Sequence, residues 1–389
     1  MRKLISILCV MVMSLQYPLI VYAQENQEQI VVTESPSVLL MELNTGTVVF
    51  EKNAQEVRSP ASITKIMTLL LIFEALENGN LTLDEEVTTS AHAKSMGGSQ
   101  VYLEEGEKQT VETLIKCIVV SSGNDASVAM AEHIMGNEVS FVAKMNEKAK
   151  QLGMKNTNFE DCCGLTDSSN HYTTAEDVAI MSRELVTKHP DILNYSSIWM
   201  DTITHVTNKG SEEFGLSNTN KLLRTYPGCV GLKTGSTSVA KFCVSALAKQ
   251  GDLTMLAVVM GADTPTIRSQ DATALLNYGF AACTMYVDDH DEILMQTEVS
   301  GGNKENIQGN TKGPFYYLGV GDVDLNRITR TISYKENLEA PIEKGDMIGT
   351  ITYTLEDKKI GEVEIVSSED VDKATYWELL NRTLELWGI

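Results

Sequence analysis

Three short polar clusters carry side chains that could act together on an acyl group. Ser62-Ile63-Thr64-Lys65 places a hydroxyl and an amine three positions apart at the start of a helical pattern, one turn apart on one face. A serine becomes a nucleophile when a neighbouring base takes its proton, and a lysine is such a base once burial or a second cation lowers its pKa. Ser122-Gly123-Asn124 lies in a polar junction between two helical stretches. From a loop there, Ser122 can relay a proton between Lys65 and a leaving amine, and Asn124 can hold Lys65 and a substrate amide. Lys233-Thr234-Gly235 stands at the end of a β-branched strand, beside the turn-like Ser236-Thr237-Ser238. It suits a terminal carboxylate: Lys233 supplies charge, Thr234 donates a hydrogen bond, and Gly235 lets a substrate backbone approach. Each cluster alone has an ordinary structural reading, as a helix N-cap, an Asx turn and a surface turn respectively. Occurring together in this order, they point to serine acyl transfer.

The elements that must position these groups are legible in outline. Ser37 to Leu43, the turn Asn44-Thr45-Gly46, and Thr47 to Glu51 predict a hairpin. From Ser62, apolar Ile66, Leu69, Leu70, Phe73 and Leu76 recur at helical spacing, and Asn78-Gly79 supplies the stop. Further helices are predicted over Val111 to Val120, Asp125 to Ile134 and around Thr174 to Lys188. Strands are predicted at Val230 to Lys233, Lys241 to Ala248 and Leu253 to Met260, before a helical segment ending near Phe280. Strands at both ends with helices between imply an α+β unit, a helical cluster packed on one antiparallel sheet. Beyond Phe280, short alternating runs such as Arg327 to Ser333 and Thr350 to Leu355 imply a small all-β domain. Ala374 to Ile389 reads as an amphipathic helix: Tyr376, Trp377, Leu379, Leu380, Leu384, Leu386 and Trp387 share a broad apolar face, opposite Glu378, Asn381, Arg382 and Glu385.

Length and composition narrow the function classes. At 389 residues the chain exceeds one typical domain, and 43% hydrophobic with 22% charged residues is ordinary for a globular protein. Arg2-Lys3, the apolar run Leu4 to Met13 and the small-residue site before Gln24 form a secretory signal over residues 1–23. The run is too short to span a bilayer. A formal net charge of −22 makes nucleic acid an unfavourable partner, so an anionic substrate must be captured locally. Cys117, Cys162, Cys163, Cys229, Cys243 and Cys283 remain after the signal, without CxxC spacing. Cys117 and Cys243 sit in apolar stretches, so buried reduced thiols are expected. Scattered histidines and no HExxH predict no metal site and no cofactor.

With these motifs the sequence resembles the low-molecular-mass penicillin-binding proteins, the serine D-Ala-D-Ala carboxypeptidases. The likeness includes Leu43-Asn44-Thr45-Gly46, Pro60 to Lys65, Ser121 to Ala126, His171-Tyr172-Thr173-Thr174-Ala175, Asn218-Thr219-Asn220 and Leu275 to Phe280, and covers residues 37–280. It is weaker over the β-rich remainder. The resemblance implies a penicillin-binding transpeptidase/β-lactamase-like fold and these roles: Ser62 attacks the D-Ala-D-Ala carbonyl, Lys65 accepts its proton, and Ser122 with Asn124 serves the departing D-alanine. Lys233, Thr234, Gly235 and Ser236 form the substrate side, with the Ser62 and Ser236 backbone N–H groups as oxyanion hole. β-Lactams, as substrate mimics, are implied to acylate Ser62. The sequence departs from many members at Val230, where they carry Asp, and at Ser236, where they carry His or an aromatic residue. Those changes bear on substrate contacts and turnover more than on the nucleophile.

The expected organisation is a signal at 1–23, a polar leader at 24–36, a penicillin-binding domain at 37–283, a β-rich domain at 284–371 and a helix at 372–389. The expected partners are a peptidoglycan stem peptide ending in D-Ala-D-Ala and β-lactam antibiotics. The expected location is outside the cytoplasm, with residues 374–389 either docked on the β domain or resting on the outer face of the membrane. Two alternatives are a β-lactamase using Glu160 for deacylation and a catalytically idle peptidoglycan-binding protein. Glu160-Asp161-Cys162-Cys163-Gly164 lacks the asparagine of the class A ExxLN pattern.

Overall fold

The computed structural model describes residues 31–208, 210–289 and 296–388. The expected signal segment, residues 1–23, lies outside them.

Ser37–Glu42, a six-residue strand buried throughout, seeds a five-stranded antiparallel sheet. The spatial order is Val48–Lys52, Ser37–Glu42, Leu253–Ala262, Lys241–Gln250 and Cys229–Thr237, so the last of these forms an edge. Complete burial of the first strand reflects cover on both faces. Leu39 and Met41 join the core of the helical cluster, while Leu40 meets the helix Pro265–Ala282 at Gly279, where an added Cβ would lie 3.0 Å from Leu40 Cδ2.

The helix Lys65–Glu77 runs through the helical cluster and is buried at every position from Lys65 to Phe73, as expected of a helix apolar on nearly all sides. It starts later than its apolar spacing predicts. Ala61–Thr64 is a 3₁₀ turn, entered through Ala61 at φ +47°, and the α-helix begins at Lys65. The helices Val111–Val120, Asn124–Met135 and Ala175–Lys188 lie within two residues of their predicted bounds, the last capped by Thr174. The helix Glu138–Gln151 and the hairpin Met200–Thr207 with Gly210–Ser217 go beyond the predicted elements.

Two boundaries differ from expectation. Folded contacts begin inside the expected leader, because Asp271 accepts the Glu34 and Ser35 backbone N–H groups and Lys52 Nζ donates to the Thr33 and Ser35 carbonyls. The strand expected to stop at Lys233 continues to Thr237, paired with Lys241–Gln250 through Thr237↔Lys241. Lys233-Thr234-Gly235 therefore lies inside an edge strand and not in a turn.

After Cys283 the chain is β-rich. Cys283–Asp288 pairs with Phe315–Val320, and a four-stranded antiparallel sheet runs in the order Gly309–Thr311, Lys358–Ser367, Met347–Leu355, Thr329–Tyr334. Its core centres on Phe315 and fully buried Tyr353, stacked with ring centroids 3.8 Å apart. The helix Tyr376–Leu386 follows, begun by a capping box in which Thr375 and Glu378 satisfy each other's backbone N–H groups.

Candidate active site

The three polar clusters meet at the edge strand. Lys65 is buried, and its Nζ lies 3.0 Å from Ser62 Oγ, 2.6 Å from Asn124 Oδ1 and 2.7 Å from the Cys163 carbonyl oxygen. Asn124 opens its helix, and its Nδ2 donates to the Gly97 carbonyl at 2.8 Å, which directs its Oδ1 at the lysine. Burial pushes the Lys65 pKa below its ordinary value, against a smaller opposing pull from neighbours led by Cys163.

Ser122 sits in the left-handed region at φ +60°, and its buried Oγ has no hydrogen-bond partner among the described residues. A buried hydroxyl with an unused hydrogen is poised to bond whatever enters the cleft.

On the opposite wall, Lys233 is buried and its Nζ donates to the Thr234 carbonyl at 3.0 Å. Burial holds its pKa well below the ordinary value, and the positive charges of Lys65 and Arg268 push it the same way. Thr234 Oγ1 donates to Thr219 Oγ1 at 2.7 Å. Gly235 explains how the strand reaches Ser62: a Cβ there would lie 2.9 Å from both the Pro60 carbonyl oxygen and the Ser62 nitrogen. Ser236 is exposed beside it, and Val230 is half-buried, its carbonyl accepting from Ser196 Oγ at 2.6 Å.

The structure thus brings Ser62, Lys65 and Asn124 into direct contact and sets Gly235 against Ser62. It adds a segment whose part sequence reasoning missed. Asp161 accepts the backbone N–H groups of Cys163, Gly164, Leu165 and Thr166, and this tight loop turns the Cys163 carbonyl toward Lys65. Burial opposes ionisation of Asp161, but His171 and these backbone donors outweigh it and hold its pKa low. Gly164, at φ +74°, passes so close to the Ala61–Thr64 turn that a Cβ would stand 1.8 Å from the Ala61 carbonyl oxygen. His171 Nε2 lies 2.8 Å from Thr64 Oγ1 and ties the same turn from another side. The visible cue was the Asp161-Cys162-Cys163-Gly164 run itself, whose work is done by backbone atoms. Glu160, the residue a β-lactamase reading needs, is exposed, and its N–H donates to His171 Nδ1 at 3.0 Å. The six described cysteines are free thiols. No group of metal-ligating side chains occurs among the described residues.

Known proteins share this arrangement of elements. A family profile described as D-alanyl-D-alanine carboxypeptidase matches residues 23–264, and one described as penicillin-binding protein 5, C-terminal domain, matches residues 284–373. The chain is 40% identical to the D-alanyl-D-alanine carboxypeptidase DacF of Bacillus subtilis (strain 168), over 100% of this chain and 99% of that protein. It is 31% identical to the D-alanyl-D-alanine carboxypeptidase DacC of Escherichia coli (strain K12), over 91% and 90% respectively. The crystal structure of penicillin binding protein 5 from Haemophilus influenzae superposes with a TM-score of 0.70 at 29% identity, covering 88% of this chain and 98% of that one.

Proposed function

The chain belongs to the D-alanyl-D-alanine carboxypeptidase family, and from that premise we propose that it removes the terminal D-alanine of peptidoglycan stem peptides through an acyl-enzyme on Ser62. The observation that carries the residue assignment is the surroundings of Lys65 Nζ. Two of its three neighbours, Asn124 Oδ1 and the Cys163 carbonyl oxygen, can only accept hydrogen. A neutral amine has two hydrogens and one lone pair. Giving both hydrogens to those oxygens leaves the lone pair for the Ser62 hydroxyl at 3.0 Å.

In this reading Lys65 takes the Ser62 proton as Oγ bonds to the D-Ala-D-Ala peptide carbonyl. The oxyanion is received by the Ser62 and Ser236 backbone N–H groups, each donor worth about 3–4 kcal/mol of transition-state stabilisation. The C–N bond breaks as the proton passes from Lys65, through Ser122, to the departing amine. Lys233 and Thr234 hold the terminal carboxylate of that D-alanine, with Gly235 giving the substrate backbone access. Water then attacks the ester and frees Ser62. A β-lactam opens on Ser62 by the same attack.

Mass spectrometry of intact protein after benzylpenicillin treatment, with an assay of D-alanine release from a pentapeptide, tests this. One penicilloyl adduct on wild type, none on Ser62→Ala, and steady D-alanine release are expected. Sustained penicillin hydrolysis would instead identify a β-lactamase. Tight peptide binding without D-alanine release would leave only a binding protein.

The reading places the mature chain outside the cytoplasmic membrane, with residues 374–389 on its outer face. No helix among the described residues is long and apolar enough to cross a membrane. Support for surface contact comes from the last helix, where Trp377 and Trp387 are 70% and 74% exposed while Arg382 bonds the Gly302 and Asn303 carbonyls. Such a face suits the interfacial region of a bilayer. Flotation with liposomes should carry the whole chain and leave behind a version ending at Lys373; equal flotation of both removes the helix from the account.

A further inference from the structure

We propose that Thr219 is a second hydroxyl donor to the substrate's terminal carboxylate, forming with Thr234 a two-hydroxyl clamp that sets the preference for a free C-terminus. This rests on the carboxypeptidase reading above.

The segment Asn218-Thr219-Asn220 is built to present its middle residue. Asn218 is buried; its Nδ2 donates to the Ile198 carbonyl at 2.8 Å and its Oδ1 accepts the Asn220 N–H at 2.9 Å. Asn220 is buried too; its Nδ2 donates to the Gly231 carbonyl at 2.9 Å and its Oδ1 accepts the Leu222 N–H at 3.2 Å. Both asparagines are thereby engaged with backbone partners, one of them on the edge strand. Between them Thr219 is exposed, and its own N–H donates to the Val120 carbonyl at 3.3 Å, just ahead of Ser122. The segment bridges the two walls of the cleft.

The hydroxyls of Thr219 and Thr234 are 2.7 Å apart, with Thr234 donating. A hydroxyl has a single hydrogen, so this bond leaves the Thr219 hydrogen available on the exposed side. An arriving carboxylate offers two acceptor oxygens to two adjacent donors beside Lys233. Thr234 then turns its hydrogen from Thr219 to one oxygen, and Thr219 donates to the other. One neutral hydroxyl pair is exchanged for two charge-assisted bonds, which are roughly twice as strong each. An amide terminus offers only a neutral acceptor oxygen and sets its N–H₂ donor where the second carboxylate oxygen would lie, so it gains neither charge-assisted bond.

The test measures equilibrium binding of two N-acylated D-Ala-D-Ala peptides, one with a free carboxylate and one with a C-terminal amide. It compares Ser62→Ala, which prevents turnover, with the same protein carrying Thr219→Val or Thr219→Ser, and assays wild type for D-alanine release. Thr219→Val, isosteric and at an exposed position, should raise Kd for the carboxylate peptide about tenfold, move Kd for the amide less than twofold, and be rescued by Thr219→Ser. Unchanged carboxylate affinity, or equal weakening for both peptides, overturns the clamp while D-alanine release by wild type leaves the carboxypeptidase reading intact. A wild type that releases no D-alanine overturns that reading and this one with it.

Discussion

Lysines in the cleft and lysines in the C-terminal β region occupy opposite electrostatic situations. Lys65 and Lys233 are buried, with carbonyl and hydroxyl oxygens as hydrogen-bond partners and pKa values pushed down. Beyond Cys283, Lys304, Lys312 and Lys359 are solvent-exposed and face Glu369, Glu364 and Glu362 respectively. An exposed ion pair costs little to make or break. A buried lysine without a carboxylate pays for its charge through desolvation, and that penalty makes the amine available as a base. The same residue type is thus desolvated in one region and solvated in the other.

The sharpest way to break the comparison is to remove Lys65, the base proposed above. Lys65→Met should lower the rate of penicillin acylation by about 10²–10⁴-fold, read by stopped-time mass spectrometry. A loss under tenfold would show that another group takes the Ser62 proton. Next in size is Gly164→Ala, which puts a methyl carbon into the Ala61 carbonyl oxygen in a left-handed backbone conformation. Denaturant unfolding should show a loss of about 2–4 kcal/mol, together with slower acylation as the Cys163 carbonyl moves off Lys65. Wild-type stability and acylation in this variant would remove the 161–164 loop from the machinery.

That loop marks where the sequence stopped being legible. Ser62, Lys65, Ser122, Asn124 and Lys233 could be singled out because the roles proposed for them fall to side chains, and residue type with spacing records those. The hairpin was readable from β-branched content and turn chemistry, the buried helix from apolar spacing with its Asn78-Gly79 stop, and the strands of the sheet from runs bounded by turn signals. The Cys163 contact is made by a carbonyl, which every residue possesses, so only the unusual Asp161-Cys162-Cys163-Gly164 run marked the place. The end of the edge strand was misplaced for a related reason: Gly235, Ser236 and Thr237 have turn-like composition, yet their pairing with Gly235↔Cys243 to Thr237↔Lys241 keeps them extended. Likewise the 3₁₀ turn at Ala61–Thr64 precedes a helix whose apolar spacing is continuous with it.

Smaller in effect is the pH dependence of stability. Lys233 has a folded pKa below its ordinary value near 10.5, so the unfolded chain binds its proton more tightly. The folded state carries the full penalty below the depressed folded value and recovers it as pH rises from there toward 10.5. Lys233→Met removes the titrating group, so its stability should exceed that of wild type at the acidic end of that window and should lack the wild-type rise across it. Denaturation midpoints of both proteins over this range provide the check; parallel curves would mean that Lys233 is not depressed.

The smallest effect is expected where the contrast says charge matters least. Lys312 Nζ and Glu364 Oε2 are 2.9 Å apart, but their side chains are 68% and 44% exposed. Water already screens the pair, and ordering two long side chains offsets most of its attraction. The strand pairing here does not depend on it, because the Lys312 N–H also donates to the Glu364 carbonyl at 3.0 Å and the neighbouring Thr311 pairs with Ile365. Lys312→Gln should therefore change unfolding free energy by about 0.5 kcal/mol or less, and raising salt should shrink even that. A loss above about 1.5 kcal/mol, beyond the range of exposed pairs, would mean that cations of the β region are bound to their surroundings as firmly as those of the cleft, and the division between the two regions would fail at its weaker end.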